Sequence, residues 1–299
     1  MEKEIKHSFL PEVALLVATI IWGGSFVIMK NATDCLPTNY LLAFRFTGAS
    51  ILLSVLFNKS ARKINKRYLL HGAVMGTALF WAYCFQTWGL CDTTPGKNAF
   101  LTAVYCVVVP FLSFVMGKER PDKYNFMAAV MCIAGIGFVS LDGSLSMGKG
   151  DILTLIGGFF FAVHMIATGT FSKVDNADPV ALTIVQFATA AVYSWIMGIM
   201  FETFPAQFEL GTVLELGYLI CFATATCLLL QSYGQKYTSP SSASILLSLE
   251  SVFGVIFSVI FYKENVTLRM LTGFALIFVA IIISETKLEF LRKREKQVN

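Results

Sequence analysis

Long apolar runs separated by short polar links recur along the whole chain. Each run holds 18 to 22 residues, and a helix needs about 20 residues to cross the hydrocarbon core of a bilayer. Because that core offers the backbone no water, each run must form a helix that satisfies its own hydrogen bonds. The pattern predicts an all-α integral membrane protein with ten transmembrane helices, at Glu12–Met29, Tyr40–Phe57, Leu69–Leu90, Ala99–Met116, Tyr124–Leu141, Ile152–Phe171, Val180–Phe201, Val213–Gly234, Ser242–Tyr262 and Thr267–Ser284.

The composition points the same way. Of the 299 residues, 56% are apolar and 14% are charged, with a mean hydropathy of +0.68, whereas soluble domains carry about a quarter charged residues. The net charge of +4 arises in the links, so it predicts contact with the lipid bilayer and not with nucleic acid. The segment before the first run is short and has no clear cleavage site, which predicts a retained helix and not a signal peptide.

Lys and Arg residues in the links predict the orientation of the helices. If the N-terminus faces the cytoplasm, 17 of these residues lie in inner segments and 5 lie in outer segments. Cytoplasmic loops of membrane proteins carry such an excess of positive charge. We therefore expect a multi-pass protein of the cytoplasmic membrane with both termini in the cytoplasm.

The second half of the chain repeats the first at a distance of 145 residues. Residues 86–119 match residues 231–264 at 9 of 34 positions without a gap, and the matches include Gln86 with Gln231 and Pro95 with Pro240. Each half contains five predicted helices, an odd number, so the second half would run in the opposite direction. The pattern predicts two inverted five-helix repeats, residues 12–141 and 151–285, around a central cavity at the midplane of the membrane.

Several short motifs carry a family resemblance over nearly the whole chain. They are Trp22–Phe26, Phe44–Phe46, Thr94-Pro95, Ser248–Phe253 and the following Lys263-Glu264. In these motifs and in its doubled five-helix plan, the chain resembles the EamA branch of the drug/metabolite transporter superfamily. The resemblance implies a cavity lined mainly by helices 1, 3, 4, 6, 8 and 9. It also implies transport of small metabolites, often amino acids and often outward.

Glu250 is the best single candidate for function, because it lies near the middle of the ninth apolar run. A charge at that depth costs several kcal/mol, on the order of 3 by insertion scales. We expect Glu250 to bind either the coupling proton or a cationic group of the substrate. The alternative is a structural hydrogen bond to a serine or to the backbone. Its counterpart in the first repeat is Tyr105, so the two halves differ at this position.

Arg45 and His164 are further candidates among the ionisable residues of the predicted helices. The expected behaviour of Arg45, near the outer end of helix 2, is that its side chain extends to the membrane surface. The alternative is pairing with an acid or with a carboxylate of the substrate. For His164, in helix 6, a neutral packing role is favoured over a proton relay, although histidine titrates in a range that suits a relay.

Amide and aromatic side chains complete the predicted substrate-binding set. Gln86 and Gln231 occupy matching places in helices 3 and 8, and buried amides bond either another helix or a ligand. Trp22 supplies aromatic surface, and Trp81 lies too deep for an interfacial belt, which favours cavity lining. The complete set is Trp22, Trp81, Gln86, Tyr105, His164, Gln231 and Glu250. Pro110 is expected to kink helix 4.

The remaining motifs limit the class of function. The chain has no nucleotide-binding phosphate loop, its seven cysteines contain no Cys-x-x-Cys pair, and its histidines lack metal spacing. We therefore expect no cofactor and no enzyme activity, but a secondary carrier that works by alternating access and is driven by an ion or substrate gradient. The runner-up is an exporter of cationic drugs. Remote alternatives are an intramembrane enzyme, for which a second intramembrane acid is missing, and a non-transporting scaffold, for which the links are short.

Overall fold

Ten long helices make up the protein, as seen in a computed structural model that describes residues 10–116, 120–141, 147–174, 177–238 and 240–287. A short helix, Asn58–Ala61, connects the second and third of them. The ten are α1 (Leu10–Cys35), α2 (Thr38–Leu56), α3 (Lys66–Cys91), α4 (Pro95–Ala103 and Tyr105–Val115), α5 (Lys123–Ser140), α6 (Lys149–Phe171), α7 (Pro179–Phe201), α8 (Leu210–Tyr218, Leu219–Thr226 and Cys227–Tyr237), α9 (Pro240–Phe257 and Ser258–Tyr262) and α10 (Leu268–Thr286).

Length and composition suit these helices to a membrane. Within the described residues, nine helices are long and apolar enough to span a bilayer, and α9 contributes a shorter apolar stretch, Leu246–Tyr262. Large apolar side chains such as Val55, Val130, Ile199 and Leu268 are exposed on the outside of the bundle, where lipid would cover them. The prediction of an all-α membrane fold is confirmed.

Polar residues in the links fix where the helices begin. The side chain of Asn65 accepts hydrogen bonds from the first backbone N–H groups of α3. Asp122 does the same for α5, Asp178 for α7 and Thr267 for α10. Such caps satisfy backbone donors that have no partner within the helix, so these four spans start at a defined residue.

Contacts between named residues establish the relative directions of the helices. Lys30, near the end of α1, donates to the carbonyl groups of Leu90 and Cys91 at the end of α3, so α1 and α3 run the same way. His71, near the start of α3, stacks on Phe171 at the end of α6, so α3 and α6 run in opposite directions. Helices α1 and α6, which begin the two halves, are therefore antiparallel, and the halves are inverted.

Helix packing follows the same symmetry. Helix α3 packs on α6 as α8 packs on α1, and α1 packs on α9 as α6 packs on α4. The pairs α2 with α7, α4 with α9 and α5 with α10 join corresponding helices of the two halves. The matched Lys118-Glu119 pair, residues 1–9 and residues 288–299 lie outside the described residues.

Two helices depart from the sequence prediction. Helix α4 is interrupted at Val104, whose N–H bonds the carbonyl group three residues back. Pro110 lies inside the second segment, Tyr105–Val115, and the kink expected there stays a prediction. Helix α8 contains an eight-residue π-helical segment, Leu219–Thr226, which nothing in the apolar pattern indicated. Wider turns of this kind occur often at functional sites.

Candidate functional site

A central cavity lies between the two halves and holds about 620 Å³ of empty space, including its open mouth. Helices α1, α3, α4, α6, α8 and α9 line it, as the resemblance implied, and α2 contributes Arg45. Its walls contain six of the seven residues predicted to bind substrate: Trp22, Gln86, Tyr105, His164, Gln231 and Glu250.

Arg45 points into the protein, so the expectation that it reaches the membrane surface was wrong. Its side chain is 2% exposed. Its Nε donates to the hydroxyl group of Thr224, and its guanidinium lies over the ring of Tyr83 at 4.5 Å from the centroid. A cation–π contact of this kind stabilises a desolvated cation. Among the described residues, no carboxylate lies within ion-pairing distance of Arg45.

The π-helical segment of α8 orients two of these side chains. Trp22 donates from Nε1 to the carbonyl oxygen of Ala223 at 2.7 Å, and the next residue, Thr224, accepts from Arg45. Both acceptors belong to Leu219–Thr226, where the wider turn alters the backbone bonding pattern. The segment therefore holds in place the indole of Trp22 and the guanidinium of Arg45, which both line the cavity.

Glu250 lies on the opposite repeat from Arg45 and is 7% exposed. No hydrogen bond or ion pair joins its carboxylate to any part of the chain that the structure describes. Helix α9, which carries Glu250, packs closely on α1 at Gly23. A Cβ added at Gly23 would lie 2.4 Å from the Cβ of Phe253, so only glycine permits this approach. The structural hydrogen bond considered from the sequence is therefore not found within the described residues.

The two matched glutamines differ in their surroundings. Gln86 donates from Nε2 to the hydroxyl group of Thr102 at 3.0 Å, and Gly157 of α6 packs against its backbone. Gln231 also lines the cavity, but its buried Oε1 has no hydrogen-bond partner among the residues that the structure describes. One amide is thus held by its own fold, and the other is free to bind a ligand or water.

One ring nitrogen of His164 is held by hydrogen bonds within the protein. Its Nε2 lies 2.8 Å from Oε1 of Gln186 and 3.3 Å from the hydroxyl group of Thr168. Since the glutamine oxygen can only accept, Nε2 is the donor in the first contact. These bonds hold the ring in one orientation at the cavity wall, which agrees with the packing role favoured from the sequence.

Tyr105 and Trp81 have different positions. Tyr105 opens the second segment of α4, directly after the break at Val104, and its ring faces Phe161 across the cavity. Trp81 does not line the cavity, because it packs against Phe85 and Phe160 on another side of α3. The expectation rested on its depth along the helix, and depth does not tell which side of a helix faces the interior.

The sequence alone missed two contributors to the site. Thr224 holds the arginine, and Phe161 faces Tyr105. Both stand in runs of small or aromatic residues that carry no distinguishing signal. Tyr83 was expected to supply aromatic surface, but its contact with Arg45 was not predicted.

Comparison with known proteins decides the family. The model of the EamA-like transporter family matches this chain twice, at residues 10–141 and 148–286. The chain belongs to the EamA-like transporter family. A protein of Archaeoglobus fulgidus named an uncharacterized transporter is 31% identical over 91% of this chain and 84% of its own length.

More distant members agree with this assignment. The uncharacterized transporter YetK of Bacillus subtilis is 24% identical over 95% of this EamA-like chain and 89% of its own. The uncharacterized inner membrane transporter YedA of Escherichia coli K12 is 24% identical over 81% and 80%. A crystal structure matches with a TM-score of 0.69 at 16% identity, covering 94% of this chain and 98% of its own, which shows the shared fold. This chain is therefore a multi-pass membrane transporter.

Proposed function

We propose that this transporter moves small zwitterions, amino acids foremost, across the cytoplasmic membrane by alternating access. The observation that carries the proposal is one cavity with a buried guanidinium, Arg45, and a buried carboxylate, Glu250, that do not pair with each other. An amino acid presents a carboxylate for the first and an ammonium group for the second. Each buried charge then gains an opposite charge, which offsets the free-energy cost of its desolvation.

The same charges argue against the runner-up, an exporter of cationic drugs. A monovalent cation could pair with Glu250, but it would share a low-dielectric cavity with the fixed positive charge of Arg45. Like charges at short range repel strongly there. The aromatic and apolar remainder of the wall, including Trp22, Phe161 and Met165, suits an amino acid with an apolar side chain.

We further propose that Glu250 couples transport to protons and that transport runs outward. A buried carboxylate without a partner can exchange a proton for a cationic group of the substrate, which links the two movements. The positive-inside bias supports cytoplasmic termini. The two family matches support repeats at residues 12–141 and 151–285.

Binding to the purified protein tests the substrate class. Thermal unfolding of the transporter is measured with each common amino acid, since a ligand that binds the folded state raises the melting temperature. We expect a shift with apolar amino acids that disappears in Arg45→Gln and in Glu250→Gln. Arg269→Gln and Glu209→Gln, at exposed positions, are matched controls and should keep the shift. No shift with any amino acid would refute the proposed substrate class.

Transport in liposomes tests the coupling. An imposed pH gradient should drive accumulation of the best amino acid by the natural protein. In Glu250→Gln the gradient should have no effect, while any exchange of substrate for substrate persists. Undiminished pH-driven accumulation in this variant would remove the proton role of Glu250.

A further inference from the structure

A second cavity lies where the basic link between α2 and α3 meets the end of α6 and the start of α7. It holds about 520 Å³ of empty space, including its open side. Helix α3 belongs to the first repeat, whereas α6 and α7 belong to the second. His71 precedes Tyr83, which lines the central cavity, by about 18 Å along the axis of α3, so the two cavities are separate. The lining of the second cavity includes Asn65, Arg67, Tyr68, His71, Phe171 and Leu182.

Groups that bind anions lie on one side of this cavity. Arg67 is exposed in the first turn of α3, and a guanidinium bonds phosphate oxygens through two parallel N–H groups. Oδ1 of Asn65 accepts from the N–H groups of Arg67 and Tyr68, which leaves its amide nitrogen as a donor. That nitrogen and the ring nitrogens of His71 form no hydrogen bond with the residues that the structure describes, so they can bond a ligand.

The floor of the cavity is apolar. Met75, Ala167 and Leu182 form a small buried cluster, and Phe171 packs against it. The ring of His71 stacks on the ring of Phe171, with 4.2 Å between the centroids and an angle of 11° between the planes. A molecule that enters the cavity therefore meets polar groups on one side and apolar groups on the other, which suits an amphipathic molecule better than a hydrated ion.

Helix α3 continues away from the cavity with an apolar side that faces outward. Leu70 and Val74 follow Arg67 at i+3 and i+7, the spacing that places residues on one side of a helix. Their side chains are 66% and 46% exposed, and lipid would cover them. A molecule with its phosphate at Arg67 can therefore lay an acyl chain along Leu70 and Val74.

The charge of the link favours an anionic molecule. Residues 58–71 contain five Lys and Arg residues and no Asp or Glu. The neighbouring Asp178 is paired with Lys63 at 2.9 Å, and Lys236 reaches the same region, because its Nζ donates to the carbonyl oxygen of Ala177. In the expected orientation the link faces the cytoplasm, where the anionic leaflet attracts basic segments beside a membrane helix.

We propose that this cavity binds the headgroup of an anionic glycerophospholipid such as phosphatidylglycerol. Arg67, Asn65 and His71 bond the phosphate, and one acyl chain lies along Leu70 and Val74. The lipid then contacts α3 of the first repeat and α6 and α7 of the second, so it holds the repeats together at this end of the bundle. The site does not depend on which substrate is transported.

Binding of short-chain lipids to the purified transporter tests the site. Native mass spectrometry in a neutral detergent measures the affinity for dioctanoyl phosphatidylglycerol, dioctanoyl phosphatidylcholine and glycerol 3-phosphate. We expect phosphatidylglycerol to bind at least about tenfold more tightly than phosphatidylcholine, whose ammonium group the basic link repels. Glycerol 3-phosphate should bind at least about tenfold more weakly than phosphatidylglycerol, because it has no acyl chain to bury. Equal affinity for the two lipids would overturn the anionic site, and equal affinity for glycerol 3-phosphate would overturn a lipid as its occupant.

A matched pair of variants separates the cavity from general attraction by the link. Arg67→Gln should weaken binding of phosphatidylglycerol by about tenfold or more, because it removes hydrogen bonds to a charged group. Arg62→Gln removes the same charge from an exposed position of the same link, outside the cavity lining, and should weaken binding by no more than about twofold. Equal affinities of the two variants would overturn the site. If Arg67→Gln does not fold, His71→Phe keeps the stacked ring without its nitrogens, and its affinity should be about fivefold below that of the natural protein.

Discussion

Glu264 offers the sharpest test of how the two repeats are joined. This buried carboxylate follows α9 and accepts three hydrogen bonds. The donors are the hydroxyl group of Thr94, the hydroxyl group of Ser258, and the N–H of Gly96 at 2.9 Å. Thr94 and Gly96 belong to the start of α4, so one side chain connects α4 of the first repeat to α9 of the second. We expect Glu264→Ala to separate these ends.

The size of the effect follows from the bonds. A hydrogen bond to a charged group contributes about 1.5–3 kcal/mol. The sum over three bonds overstates the loss, because both hydroxyl groups can turn to backbone carbonyl groups, whereas the N–H of Gly96 is fixed. We therefore expect Glu264→Ala to lower the free energy of unfolding by about 3 kcal/mol, and Glu264→Gln, which keeps one accepting oxygen, by about half of that.

Thermal unfolding in detergent, followed by tryptophan fluorescence, is a suitable assay. A loss of about 3 kcal/mol lowers the melting temperature of a chain of this size by about 5 °C or more. Glu209→Ala is the matched control, because Glu209 precedes α8, is exposed and makes no side-chain cap bond. Equal melting temperatures for Glu264→Ala and Glu209→Ala would refute the reasoning.

Three further perturbations test other parts of the structure. Gly76→Ala should reduce the yield of folded protein because its Cβ would lie 2.5 Å from a backbone oxygen of α7, whereas Gly148→Ala, with open space around it, should not. Burial favours the neutral form of Asp178, but the hydrogen bonds from Lys63, Ser60 and the N–H of Ala181, together with the charge of Lys63, outweigh it and lower the pKa of the carboxyl group below its usual value. The stabilising effect of the ionised carboxylate is therefore present above a pH of about 4 and lost as the pH falls through the lowered pKa. In Asp178→Asn, the melting temperature should therefore depend less on pH in that range. Trp22→Phe keeps an aromatic ring at the cavity wall but removes the indole N–H that donates to the carbonyl oxygen of Ala223 on α8. It should weaken amino-acid binding more than it lowers the melting temperature.

The helices and the repeat could be read from the sequence for a simple physical reason. A membrane requires long apolar runs, and the links between them must be polar, so the pattern marks each span. The repeat could be detected because Gln86, Pro95 and their counterparts Gln231 and Pro240 are unusual in apolar helices. Two apolar helices match by chance at Gln or Pro far less often than they match by chance at Leu.

The direction in which each side chain points could not be read in the same way. In a soluble helix, polar residues mark the exposed side, but lipid and protein interior are both apolar, so the contrast disappears. Arg45 and Trp81 were misplaced for this reason: the arginine faces inward and the tryptophan faces away from the cavity. The break at Val104 and the π-helical segment of α8 depend on packing between helices and leave no mark on hydropathy.

The paired charges lead to a final expectation about selectivity. In the empty cavity, Arg45 and Glu250 are both desolvated, and each costs several kcal/mol without a partner. A zwitterion satisfies both, whereas a matching amine or carboxylic acid satisfies one and leaves the other isolated. We therefore expect the decarboxylated and deaminated analogues of the best amino acid to bind at least about a thousandfold more weakly, because sites built for a polar group reject analogues that lack it. The double variant Arg45→Gln and Glu250→Gln should lose most of this discrimination. Equal affinity of the natural protein for the amino acid and for its amine would show that the guanidinium does not contact substrate.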